Sequence, residues 1–273
     1  MNGLALLPVM ALALVLASCG KKNPPAAGLP QPGVATRTDD LPADPEEKFK
    51  VTYVRSAQAF SRNDLENALK FLEIAEQSKP GQANTANLRG AIYTRKRDWP
   101  KAQAAFEEAL RIQPDLPMAQ FNLGEVLFLN NQYAESRQRF QNFLNSQPNN
   151  DLGLYKIFLC DLLGGQKAKA ESFLESVRPS ASSPLFYFSK AAEAFAGGNK
   201  TEAMRFVESA YRIYPPDANA TFADSLVEKG FLSGEQTGKI QEEGDRPKAS
   251  DLGNMLPEVK KDEKPSGLLP AKP

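Results

Sequence analysis

The 273-residue sequence predicts an all-α fold, a superhelical α-solenoid of about five helix pairs closed by a C-terminal helix and flanked by disordered tails. Three observations carry that expectation. Residue types recur at a step of 34, so that Gly90 falls on Gly124, Ala102 on Ser136, Phe106 on Phe140, Leu110 on Leu144 and Pro114 on Pro148. A period of that length marks stacked units, none of which can bury its apolar face alone. Within each unit the apolar residues recur at i, i+3 and i+4, the stripe of an amphipathic helix. Each clear unit also closes on a proline, which lacks an N–H and restricts the residue before it, so a helix stops there.

The first segment, residues 1–18, reads as a signal peptide. Leu4 to Ala17 is an uncharged apolar run of 14 residues interrupted by Pro8. A bilayer-spanning helix needs roughly 20 such residues, a signal core only about 7–15. Leu16-Ala17-Ser18-Cys19-Gly20 follows, and this string resembles a bacterial lipoprotein signal, which implies that Cys19 is acylated on sulfur and becomes the new N-terminus. Each buried methylene contributes about 0.8 kcal/mol, so two or more chains anchor a protein durably. An ordinary cleaved signal and an uncleaved N-terminal anchor are the other two readings of the run, and Lys21 and Lys22 follow it while no basic residue precedes it. Residues 19–46 then form a tether. Six prolines and few large apolar side chains between 20 and 45 leave too little surface to offset ordering entropy. Fully extended, such a tether reaches about 80 Å.

The repeat domain spans 47–232. Its units are expected at about 49–82, 83–116, 117–150, 151–183 and 184–217, with a capping helix at 218–232. The 34-residue step runs backwards through Ala68, Ala75 and Pro80, and forwards from Ser136 to Ala170; Ala203, Ala210 and Pro215 restore the pattern with one step of 33. Each unit resembles a tetratricopeptide repeat. Gly90, Gly124 and Ala191 are the small residues of a first helix, and Ala68, Ala102, Ser136, Ala170 and Ala203 those of a second, letting the two approach closely. Arg97-Asp98 and Asn131-Gln132 fall on the turns between them. Unit four departs from the pattern: Phe158 stands where its small crossing residue is expected, and "VRPSASSP" is an irregular ending. Ser183-Pro184 reads as an N-cap and first-turn proline for the pair that follows. Residues 233–273 show no sustained period and read as a disordered tail in which "NMLPEV" is a candidate docking motif.

Composition narrows the chemistry. There are no histidines, which removes the usual general base near neutral pH and the nucleophile pairs built on it. Cys19 and Cys160 are the only cysteines, too few for a disulfide framework or a cysteine metal site. Lysine plus arginine balances aspartate plus glutamate at 33 each, so no long-range field recruits nucleic acid. "GGNKT" (197–201) lacks the adjacent Gly-Lys-[Ser/Thr] order of a phosphate loop, and "TRKR" (94–97) lies on a repeat turn. No enzyme, cofactor, metal or small-molecule substrate is expected.

What remains is binding. The tetratricopeptide resemblance implies an inner groove lined by first helices. It assigns Asn84, Asn87 and Arg95 to that groove in unit two, Phe121, Glu125 and Phe128 in unit three, Tyr155 and Leu159 in unit four, and Phe188 and Phe195 in unit five. The groove would be polar early and apolar later. Either its apolar residues grip a partner segment, or they pack on one another and on the tail helix. Tyr53 and Ala57 stand where some relatives carry a lysine and asparagine carboxylate clamp, so a chaperone-tail receptor is not expected. The leading expectation is a lipid-anchored, periplasm-facing scaffold for protein partners in envelope assembly. The alternative is a structural subunit permanently buried in an envelope complex of the outer-membrane assembly or pilus and secretion type. Gly20 after Cys19, in place of an aspartate, favours the outer membrane.

Overall fold

The computed structural model describes residues 40–243; the signal segment, Cys19, most of the tether and the tail beyond Glu243 lie outside the described residues. Five antiparallel helix pairs follow one another: α1 (Pro45–Ser61) with α2 (Leu65–Ser78), α3 (Ala83–Arg95) with α4 (Trp99–Ile112), α5 (Pro117–Leu129) with α6 (Tyr133–Ser146), α7 (Asp151–Leu163) with α8 (Lys167–Ser176), and α9 (Leu185–Ala196) with α10 (Lys200–Ile213). α11 (Pro216–Glu228) packs against the last pair, and α12 (Gly234–Glu243) follows it. α12 lies in the stretch that the sequence pattern leaves to the tail. Among the described residues, no helix is long and apolar enough to cross a membrane.

Local chemistry sets each pair. Asn63, Arg97, Asn131, Gly165 and Gly198 all take positive φ, at steps of 34 with one of 33. Each is followed by a residue whose N–H returns to a carbonyl five positions earlier, as from Asp98 to Tyr93 (3.0 Å) and from Gln132 to Leu127 (2.9 Å), the bond that closes a helix on a left-handed residue. The next residue then starts the second helix. Asp64, Asp98 and Asn199 each accept the N–H three positions on, satisfying a donor that the first turn leaves free. Pro80, Pro114, Pro148 and Pro215 lie two residues past the ends of α2, α4, α6 and α10.

Pairs close where side chains are small. A Cβ placed on Gly90 would stand 2.6 Å from the Phe106 ring, and one on Gly124 2.8 Å from Phe140. The Ser136 hydroxyl donates to the Gly124 carbonyl at 2.8 Å, and Ser56 repeats the bond to Ala68. In the irregular fourth unit Phe158 stacks on Phe173 (5.1 Å), and the close approach moves to Gly153 against Phe143 and Leu144 of the preceding unit. The cap expected at Ser183 falls one residue later, on Pro184, while the Ser183 hydroxyl accepts the Leu185 N–H.

Successive first helices also touch one another, α1 with α3, α3 with α5 and α7 with α9, so they line the inner side of the stack. Among the described residues the buried side chains form two clusters, one through units one to three and one from unit three to α11. α5 contributes to both, which is why every residue from Ala119 to Phe128 is buried.

Candidate protein-interaction groove

α11 does more than close the end of the stack: it runs back along the inner face. Phe222 packs its ring on Tyr155 of α7 (5.1 Å between centroids) and on Phe188 of α9 (5.8 Å). Leu226 is fully buried in the same cluster. Lys229, just past the helix, donates to the Phe128 carbonyl and to Asn131 Oδ1 (2.9 Å), and its ammonium lies 4.2 Å from the Phe128 ring centre. Beyond the helix, Phe231 stacks on Phe195 at 5.5 Å.

This settles where the expected groove residues lie. Phe128, Tyr155 and Phe188 are 0% exposed, Leu159 is buried, and Phe121 and Phe195 nearly so. Phe121 packs edge-on against Phe140 and Phe143. Of the two readings of the apolar residues in units three to five, the structure has the packed one: these side chains are buried in the core, and α11 packs over Tyr155 and Phe188. The tail helix supplies the apolar contact that a stretch of first-helix aromatics requires.

The polar part of the face stays open. Asn84 is exposed. Asn87 is half-buried and accepts a hydrogen bond from the Asn122 amide at 3.1 Å. Arg95 spreads its guanidinium over the Phe60 ring at 4.5 Å, reaching the Phe60 carbonyl at 3.5 Å.

Between the open and filled parts, five charged residues meet. Lys156 of α7 makes a 2.7 Å ion pair with Glu125 of α5, the two side chains only 3% and 10% exposed. Asp224 and Glu228, four apart on α11, share with this pair the lining of a cavity of about 30 Å³, which Thr94 and Asn122 also border. Lys229 lies at the far side. Burial works against the Lys156 charge, yet Glu125 and Glu228 outweigh it and raise its pKa above the usual lysine value. Burial pushes Glu228 up to about 7; Lys156 pulls it down, while Glu125 and Asp224 push it up. Asp224 is pushed up to about 6 by burial, with Lys156 opposing and Glu125 adding. Lys229 is lowered by its own burial against the pull of Glu228. A buried ion pair of this kind stabilises less than its short distance suggests, because both charges have left water.

Of the charged residues here, sequence reasoning found only Glu125. Lys156 left a trace, since it interrupts the apolar run "LYKIFLC"; Asp224 and Glu228 sit four apart beside Phe222 and Leu226, also four apart. Cys160 neighbours this region, buried, its thiol donating to Ser136 Oγ at 3.3 Å and pushed by burial to about 12. Among the described residues no group of histidine, cysteine, aspartate and glutamate has the arrangement of a metal site.

Comparison with known proteins agrees with this architecture. Residues 88–151 match the tetratricopeptide repeat family profile. No curated protein matches the chain. Among solved structures, PilW, described as a widely conserved type IV pilus biogenesis factor, is similar with a TM-score of 0.52 and 21% identity, covering 76% of this chain and 97% of its own. PilF of Pseudomonas aeruginosa is similar with a TM-score of 0.50 and 15% identity, covering 77% and 97%. With the repeat profile on its central units and the similar helical stack in these proteins, the chain has the fold of a tetratricopeptide-repeat solenoid.

Proposed function

We propose that the protein is a lipid-anchored, periplasm-facing scaffold that holds segments of partner proteins along the inner face of its solenoid, in the assembly of an envelope machine of the type IV pilus kind. The observation that carries this reading is the open polar stretch of inner face around Asn84, Asn87 and Arg95, next to an apolar stretch already filled by α11. Amide side chains there can donate to and accept from the backbone of an extended segment, and the arginine can meet a carboxylate. The lipoprotein-like string ending in Cys19, with the proline-rich tether after it, supports an anchor and a reach away from the membrane. Gly20 supports the outer membrane. The likeness in fold to PilW supports the pilus setting. Because α11 covers the apolar residues, no permanent partner is needed to shield them, which favours a scaffold over a constitutively buried subunit.

The test is affinity capture after crosslinking in cells, comparing the intact protein with a triple variant, Asn84→Ala, Asn87→Ala and Arg95→Ala, and with Cys19→Ser. The expected outcome is a defined partner caught by the intact chain and lost by the triple variant while its helical content and melting stay close to wild type. Cys19→Ser is expected to leave the membrane fraction. Capture indifferent to the three groove residues, or membrane association unchanged without Cys19, would overturn the corresponding part of the reading.

A further inference from the structure

α11 occupies the groove as a ligand would. Phe222 and Leu226, four residues apart, form its apolar edge, and Phe222 inserts between the rings of Tyr155 and Phe188. Asp224 and Glu228, also four apart, lie on the opposite face of the helix and share a cavity with the Glu125–Lys156 pair. This is the layout of a helix laid in a groove, with apolar anchors at i and i+4 on one face and charged residues on the other.

The fit is incomplete in a consistent way. Three carboxylates, of Glu125, Asp224 and Glu228, surround one fully buried cation, Lys156, while Lys229 is engaged with Phe128 and Asn131. Glu125 Oε1 and Glu228 Oε2 are buried with no hydrogen-bond donor, and so are Asn219 Oδ1 and Ser225 Oγ on α11 itself. A buried polar atom without a partner weakens whatever contact buries it. Each of these two α11 groups would recover water if the helix lifted, and so would Glu228. The chain link to α10 is short, Tyr214 and Pro215, and the Asn219 amide donates to the Ala210 and Tyr214 carbonyls at 3.3 and 3.0 Å, so the start of the helix stays held near its seat when the rest lifts.

We propose that α11 is an exchangeable occupant of the groove, and that the surface beneath it accepts from a partner protein an amphipathic helix with the same anchors: an aromatic residue and an aliphatic residue four positions on. The partner half of this inference rests on the scaffold reading above, while the exchange of α11 is a property of the chain alone. Specificity comes from the Tyr155–Phe188 slot, which demands an aromatic, while Lys156 is already paired with Glu125.

The experiment uses the full chain and, as probe, a fluorescent peptide of residues 215–230. Hydrogen exchange on the intact protein is expected to show the α11 amides opening together, at least 10-fold faster than those of α5 and α9. The peptide is expected to bind the Phe222→Ala chain at least 10-fold more tightly than the intact chain, with a scrambled peptide binding neither. Neutralising the crowded acids by Asp224→Asn with Glu228→Gln is expected to slow α11 opening several-fold at pH 8, a readout that holds even where Phe222→Ala fails to fold. Exchange of α11 only together with α9 and α10 in global unfolding would overturn the proposal. So would opening that is unchanged or faster in the double variant, or equal peptide binding to both chains. A dimer of the intact chain formed through α11 would make a second copy the occupant and overturn the assignment to a different protein. None of these outcomes depends on capturing a partner in cells, so failure here and failure of the scaffold reading are separable.

Discussion

Arg97 holds its backbone at φ +59°, exposed, where a Cβ is sterically penalised by about 1–2 kcal/mol and glycine is not. Equivalent turns two and three units later use Gly165 and Gly198. Arg97→Gly is therefore expected to raise unfolding free energy by about 0.5–1 kcal/mol in a urea titration, the gain reduced by the greater freedom of glycine in the unfolded chain. Gly90 makes the opposite case. A methyl there meets the Phe106 ring at 2.6 Å inside a closed helix pair, so Gly90→Ala is expected to lower stability by about 1–3 kcal/mol. Both residues stood out in the sequence, Gly90 by its 34-residue partner and Arg97 by its place on a turn. The left-handed backbone at Arg97 did not, because arginine carries no sign of it; only the glycines at matching positions hint at the geometry. Cys160 follows the same logic of environment: with its thiol buried and held neutral, a thiol reagent is expected to label it only as fast as the domain unfolds.

At the scale of the element, α11 ties stability to pH. Glu228 and Asp224 have folded-state pKa values raised to about 7 and about 6, above their ordinary values, and face Glu125 of α5, Lys156 of α7 and Lys229. The docked helix therefore holds protons that the free chain has already lost across the range from about pH 4 to 7. Stability of the docked state is then highest below that range and falls as pH rises through it, by a total on the order of 1–3 kcal/mol because both acids stay partly exposed. Denaturation followed from pH 5 to pH 8 is expected to show this decline, and Asp224→Asn with Glu228→Gln to flatten it; stability rising over the interval would count against the charge arrangement. The existence of a helix after Pro216 was readable from its apolar spacing. Its course along the inner face was not, because the same Phe222 and Leu226 stripe serves equally for an end cap. Only the three-dimensional curvature of the stack brings Tyr155, Phe188 and Lys156 beneath it. The sequence period identifies which residues are inward, and inward means groove or core depending on a helix that has no counterpart in the repeat.

Across the whole molecule, the inner face is divided by α11 into two stretches that should respond to mutation in opposite ways. Phe128 is fully enclosed, with Tyr133 edge-on at 5.7 Å and the ammonium groups of Lys156 and Lys229 on its ring. Truncation to alanine removes that packing and leaves a void beside a buried ion pair, so Phe128→Ala is expected to cost about 3–5 kcal/mol and to lower the melting temperature of the whole domain. Asn84 is exposed and Asn87 keeps one side-chain bond to Asn122, so Asn84→Ala with Asn87→Ala is expected to change stability by less than about 1 kcal/mol. The aromatic substitutions that the sequence alone nominates as binding tests are thus folding tests, and loss of partner capture in them carries no information about an interface. The asparagine pair is the informative variant, because its side chains are available to a partner while contributing little to the core. Chemical denaturation of both variants in parallel decides the matter: near-equal stabilities would mean that α11 does not shield Phe128 in solution and that the apolar stretch is open, whereas the expected gap of several kcal/mol leaves the stretch around Asn84 and Asn87 as the open part of the inner face.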